Sequence, residues 1–128
     1  LGFMQELHRI AKPNAILVAR CPYGSSDDAW EDQTHVRPFF CQSWGYFSQP
    51  YYWRSDPGFR GDWQPETLEL LVPKAANEGL TVGQIMDKVL HGRNAVLEMV
   101  ATLRCVKPIR EARKELQKLP QIRIILHG

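Results

Sequence analysis

The sequence predicts an α/β protein: a small mixed sheet of three to four strands with flanking helices. Residues 15–21 are almost wholly apolar, which is typical of a strand covered on both faces. An amphipathic stretch over residues 1–12 precedes it, as in a helix that leads into a buried strand. Residues 95–106 alternate with a period of two, which indicates a second long strand.

Composition narrows the class of protein. A chain of 128 residues with 44% apolar content fits one globular domain, residues 1–128. The net charge of +2 argues against a nucleic-acid partner. No apolar run approaches the roughly 20 residues that span a bilayer, and no signal peptide precedes the fold, so we expect no membrane association. Three cysteines make no disulfide framework, and reduced thiols favour a cytoplasmic location.

The first part of the chain, residues 1–22, holds the first helix and strand. Pro13 ends the helix, and the strand covers residues 15–21. Apolar residues at spacings of three and four place one face of the helix inward: Phe3, Met4, Leu7, Ile10 and Ala11.

The second part, residues 23–65, is a loop region rich in aromatic residues. Ten of the 13 aromatic residues lie in the 25 positions from Phe39 to Trp63. Ser43 to Ser48 suits a short helix, and prolines and glycines make the remainder loop-like.

The third part, residues 66–128, supplies the strands and helices that close the sheet. We predict a strand over Thr67–Val72, a helix over Thr81–Leu90 capped by Gly92, a helix over Ile109–Leu119 and a strand over Ile122–Leu126. Residues 95–106 also fit a helix, but their β-branched side chains favour a strand. The helix over 81–90 has an inward set of apolar residues: Val82, Ile85, Met86, Val89 and Leu90.

The densest polar group is Asp32, His35 and Arg37. A carboxylate, an imidazole and a guanidinium on one loop suit a polar ligand. The simpler interpretation is that Asp32 hydrogen-bonds the loop's own backbone and His35 packs beneath the rings. Cys21, His35 and Cys41 lack the spacing of a metal site, so we expect buried thiols and no metal. We assign no catalytic residue.

The aromatic stretch has three interpretations. Its rings fill a core or an interface, line a small-molecule pocket, or stack on nucleic acid bases. Packing ranks first and nucleic acid last, because the net charge is low. For the pocket, Tyr51, Trp53 and Trp63 are the candidate ligand-binding residues.

Three segments together suggest a family. Met4 to Val18 resembles the part of class I S-adenosylmethionine-dependent methyltransferases where a helix ending in Glu-x-x-Arg meets Lys-Pro-Gly-Gly and the fifth strand. Here Asn14 and Ala15 replace the glycines, and Asn tolerates the left-handed conformation. Asp32 to Val36 is similar to an Asp-Pro-Thr-His run of these enzymes. Arg93 to Arg104 resembles their last, antiparallel strand.

The resemblance implies the C-terminal half of a Rossmann-like methyltransferase, without the cofactor-binding N-terminal half. No Gly-x-Gly-x-Gly follows a strand, so no cofactor residue is assigned. We expect no cofactor for the isolated chain, and S-adenosylmethionine only if a partner completes the fold.

Two functions follow as expectations, ranked ahead of a methyltransferase active alone, which would need a replacement for the glycine-rich turn. The first is a non-catalytic, stand-alone remnant of the methyltransferase fold that self-associates and binds a small molecule. The alternative is the C-terminal part of a split or truncated methyltransferase that needs a partner chain for activity. In the first case, a homodimer covers the exposed edge of strand 15–21.

Overall fold

The protein is an α/β fold built on one four-stranded mixed sheet. A computed structural model describes all 128 residues, Leu1–Gly128. In chain order the helices and strands are α1 (Gly2–Ile10), β1 (Ile16–Pro22), α2 (Asp28–Glu31), β2 (Trp63–Pro73), α3 (Lys74–Asn77), α4 (Val82–His91), β3 (Glu98–Cys105) and β4 (Gln121–His127). Three 3-10 helices lie at Cys41–Phe47, Gln49–Tyr52 and Lys114–Leu116.

The strands lie in the order β1-β3-β2-β4. β3 is antiparallel to both β1 and β2, whereas β2 and β4 are parallel. The sheet therefore has two edge strands, β1 and β4. The strand predicted over residues 95–106 is confirmed by β3, and the helical alternative for this stretch is wrong.

One face of the sheet carries the core. Every second residue of β3 from Met99 to Cys105 is fully buried. Ala101 lies opposite Ala19 of β1 and Leu68 of β2, so the same face is apolar across three strands. The other face of β3 is only half-buried, which makes the protein two layers thick over this part of the sheet.

The prediction that the first strand is covered on both faces is wrong. Leu17 and Ala19 pack against the core, but Ile16 and Val18 are 58% and 61% exposed. β1 is an edge strand, and no helix covers its outer face. Its apolar run is therefore compatible with one-sided burial.

α1 is confirmed as a helix, but it packs through a narrower face than the one predicted. Met4 is buried, whereas Phe3 and Ile10 are exposed instead of facing inward. His8 and Trp63 fix the helix, since His8 Nε2 lies 2.9 Å from the Val106 carbonyl oxygen and the Trp63 indole donates to the Met4 carbonyl. Residue 14 adopts the left-handed conformation expected of asparagine in the following turn, with φ of 66°.

α4 is confirmed with a reciprocal cap at its start. The Thr81 hydroxyl accepts from the Gln84 backbone N–H, and the Gln84 side chain accepts from the Thr81 N–H. Of the residues predicted to face inward, two are buried, one is half-buried, and Val82 and Leu90 are exposed. The helix ends at Gly92 as expected, and none of the helices has the length and apolar composition needed to cross a membrane.

The helix predicted over Ile109–Leu119 is wrong. Only Lys114–Leu116 form a short 3-10 helix. The contacts of this segment are tertiary instead: both the backbone N–H and the guanidinium of Arg110 donate to the buried Asp62 carboxylate. The strand predicted over 122–126 is confirmed by β4, and Cys41–Phe47 is a 3-10 helix where a short helix was expected.

Candidate functional site

A cavity of about 460 Å³ lies on the packed side of the sheet. It is bounded by the aromatic segment (residues 39–63), by α4 and by the residues that lead into β4. Its volume is within the range of about 300–1,000 Å³ that is typical of small-molecule sites. The apolar residues of its wall and mouth are Tyr23, Phe40, Cys41, Tyr51, Pro65, Leu68, Met86, Val89, Leu90, Leu119, Pro120 and Ile122.

The deep wall of the cavity is apolar and carries no charge. Tyr23 is buried, and its hydroxyl donates to Cys41 Sγ at 3.7 Å. Burial raises the pKa of both the Tyr23 hydroxyl and the Cys41 thiol, so both stay protonated at neutral pH. Leu68 from β2 and Val89 from α4 complete this wall. Such a wall suits an apolar ligand.

The mouth of the cavity is also apolar but open to solvent. Phe40, Leu90, Leu119 and Ile122 line the cavity and are between 40% and 83% exposed. An exposed cluster of large apolar side chains is typical of a binding site, because an apolar ligand removes those side chains from water. The mouth and the deep wall therefore favour the same kind of ligand.

Two glycines let aromatic rings form the wall. A Cβ atom at Gly45 would lie 2.6 Å from the Tyr51 ring, and one at Gly24 would overlap the Phe40 ring. Both rings line the cavity, so a side chain at either glycine would push a ring out of the wall.

A buried ion pair supports the base of the cavity. Asp62 is completely buried, and its carboxylate accepts from Arg110 Nε at 2.8 Å and from Nη2 at 2.7 Å. Arg110 also donates to the Gln64 side chain at 2.9 Å and to the Ser48 hydroxyl at 3.2 Å. Ser48 and Pro65, next to Gln64, both line the cavity. The pair thus joins the aromatic segment, β2 and the loop after β3.

This pair is not predictable from the sequence. Asp62 and Arg110 are 48 positions apart, and each looks like an ordinary surface residue in its local sequence. Nothing in the local sequence of either residue signals the partner.

The predicted polar group lies elsewhere, around the end of β1. Asp32 Oδ1 accepts from the Thr34 N–H at 2.9 Å and from the Thr34 hydroxyl at 2.6 Å, and these bonds lower the pKa of Asp32. His35 Nδ1 lies 3.0 Å from the Asp28 carbonyl oxygen. His35 lines an open polar cleft with Asp32 and a second cleft with Arg37, so the three residues are neighbours. None of them lines the 460 Å³ cavity.

The three predicted aromatic residues are separated. Tyr51 lines the cavity. Trp53 is on the surface, with the Arg54 guanidinium 4.5 Å and the Lys114 ammonium 5.5 Å from its ring centroid. Trp63 is 2% exposed and belongs to the core. Of the six predicted residues, only Tyr51 is part of the cavity.

No group of three or more His, Cys, Asp or Glu side chains is arranged to hold a metal ion. Comparison with protein-family models, curated proteins and solved structures finds no match to the chain.

Proposed function

We propose that the chain is a non-catalytic binding domain that holds a small, largely apolar molecule in the 460 Å³ cavity. The observation that carries the proposal is the cavity itself: its volume, its uncharged deep wall and its exposed apolar mouth. Burying apolar surface of ligand and mouth together contributes roughly 25 cal/mol per Å² before the costs of association. No cofactor is part of this function.

The neutral fluorophore N-phenyl-1-naphthylamine tests this proposal, because its emission rises when it enters an apolar site. We expect saturable binding by the native chain. Met86→Trp places a large ring in the cavity wall and should weaken binding by about tenfold or more. Val82→Trp is the matched control, because Val82 lies on the same helix but is 64% exposed and outside the cavity.

Circular dichroism and thermal melting establish that both variants fold. Failure of the native chain to bind the fluorophore, or equal binding by Met86→Trp and Val82→Trp, would refute the cavity as the binding site.

A second candidate function is favoured by the sheet. β3 is antiparallel to both of its neighbours, as the resemblance of residues 93–104 to the last strand of class I methyltransferases implies. The second candidate is that the chain is the substrate-side part of a methyltransferase. The cavity then holds the methyl acceptor, and a separate cofactor-binding half supplies S-adenosylmethionine.

Calorimetric titration with S-adenosylhomocysteine tests both candidates, and a methyl-transfer assay with an added cofactor-binding half separates them. The first predicts no binding by this chain, with or without a cofactor-binding half. The second predicts methyl transfer only after that half is added. Micromolar binding by the chain alone would contradict both, since neither places a cofactor pocket in these residues.

We also propose that the chain forms a homodimer through the free edge of β1. β1 has a neighbouring strand on one side only, so backbone N–H and C=O groups along its other side are unpaired. The side chains of Ile16 and Val18 on this strand are exposed. Val18→Lys should shift the mass in solution from dimer to monomer, because a charge would enter the apolar interface. Val36→Lys, at a position 86% exposed outside the strands, should leave the mass unchanged. A native chain that is monomeric at micromolar concentrations contradicts the dimer.

A further inference from the structure

One residue gives the cavity a charge. Among all the residues that line it, Lys118 is the only ionised side chain at neutral pH, and no aspartate or glutamate is present. Lys118 is exposed at the mouth, beside Leu119. Its ammonium group forms no salt bridge and no hydrogen bond within the chain.

The backbone at Lys118 is fixed although its ammonium group is free. The Lys118 carbonyl oxygen accepts from Gln64 Nε2 at 3.1 Å. Gln64 is buried and accepts in turn from Arg110 at 2.9 Å. The buried network therefore fixes the backbone of Lys118 beside the cavity, and the cationic side chain starts from the edge of the apolar opening.

A purely hydrocarbon ligand would leave the Lys118 ammonium at the mouth without a partner.

From these observations we propose that the cavity binds an amphipathic carboxylate. Its apolar body lies against Leu68 and Val89, and its negative group pairs with Lys118 at the mouth. This inference rests on the binding function proposed above and adds the chemical class of the ligand. An anion is selected over a cation because the lining offers one positive charge and no negative one.

Displacement of N-phenyl-1-naphthylamine by decanoate and by decanol tests the inference. The two competitors share the alkyl body and differ in the charged group. Lys118→Met keeps most of the aliphatic stem and removes the charge, so we expect decanoate to bind about three- to fivefold more weakly, the range of a solvent-accessible ion pair. Decanol and the neutral fluorophore should bind as they do to the native chain.

Lys114→Met is the matched control, because Lys114 lies in the same loop but outside the cavity. It removes the same net charge and should change the affinity of neither competitor. Lys118→Arg should retain the native affinity for decanoate.

Three results would overturn the inference while leaving apolar binding intact. Lys118→Met could weaken decanoate and decanol equally, it could change neither, or decanoate could fail to displace a fluorophore that decanol displaces. Failure of the fluorophore to bind the native chain is a different result, and it would refute the binding function as well.

Discussion

Asp32 and Asp62 show how burial changes the role of the same side chain. Asp62 is completely buried and accepts four hydrogen bonds, three of them from Arg110 and one from the Gln49 N–H. Asp32 is half-exposed and accepts from Thr34, two positions along the chain. The first carboxylate joins segments that are distant in sequence, whereas the second shapes only its own loop.

The difference is one of environment. Around Asp32, water solvates the carboxylate and weakens its interaction with His35, whose Nε2 lies 3.6 Å away. Asp62 is shielded from bulk solvent, so loss of the negative charge would leave the Arg110 guanidinium, which is only 19% exposed, without its counter-ion. The same substitution at the two sites should therefore have very different effects on stability.

The largest expected effect is that of Asp62→Asn. Breaking a buried ion pair by removing one partner costs about 3–5 kcal/mol, a large part of the roughly 5–15 kcal/mol that stabilises a typical domain. We expect this loss in the free energy of unfolding, measured by urea denaturation at pH 7.

Asp56→Asn is the matched control. Asp56 and Arg60 also form a bidentate pair, with distances of 2.9 and 2.8 Å, but both side chains are about 60% exposed. We expect no measurable change in stability. Equal losses for the two substitutions would show that burial does not distinguish these pairs.

The next effect concerns Cys21, which shares a cleft with His35 and Arg37. A guanidinium beside a thiol normally lowers its pKa, but burial, together with the Glu98 carboxylate, raises the pKa of Cys21 from 9.0 to about 11. At pH 8 its thiolate fraction is about a hundredfold below that of an ordinary thiol. We expect correspondingly slow alkylation by iodoacetamide, followed for each cysteine by peptide mass spectrometry.

The alkylation rate of Cys21 should keep rising with pH up to about 11. The chain unfolded in urea is the control and should react at the rate of a free thiol. A rate that levels off between pH 7 and 8 in the folded chain would show that the loop activates the thiol, and it would make the Asp32 region a reactive site.

The strands were predictable from the sequence because their signals are local. The apolar run at residues 15–21 and the period-two pattern of β3 identify strands without knowledge of their partners. The exposure of Val18 was not predictable, because it depends on whether another element covers the outer face of β1. The contacts of residues 109–119 were not predictable either, since Arg110 binds the carboxylate of the distant Asp62.

Most of the residues that line the cavity could not be predicted from the sequence. Its lining comes from the turn after β1, the aromatic segment, β2, α4 and the residues around β4, and only the folded sheet brings these together. Tyr51 was identified because aromatic residues favour pockets in general. Trp63 gave the same signal but fills the core, since composition does not distinguish a pocket wall from a packed interior.

Gln49→Ala separates the effect of a buried uncharged hydrogen bond on stability from the effect of a buried ion pair. Gln49 is 8% exposed, and its side chain donates to the Phe59 carbonyl oxygen while its backbone N–H donates to Asp62. Gln49→Ala keeps the backbone bond and removes an uncharged buried one, so we expect a loss of about 1–2 kcal/mol in urea denaturation.

Gln42→Ala is the control for this change, because Gln42 is exposed, and it should cost nothing measurable. A loss for Gln49→Ala as large as that for Asp62→Asn would mean that burial of polar groups, rather than charge pairing, stabilises this region.

The smallest effect is expected for Asp32→Asn. An asparagine can still accept from the Thr34 N–H and hydroxyl, so the turn should persist. The lowered pKa of Asp32 fixes the sign of any effect: a contribution of the carboxylate is present above the unfolded pKa of about 3.8 and is lost as the pH falls through the lower folded pKa. Because the side chain is exposed, we expect melting temperatures that match the native chain at pH 7 and at pH 3. A lower melting temperature at pH 7 that vanishes at pH 3 would show that the loop carboxylate contributes to stability after all, and the contrast with Asp62 would then be one of degree.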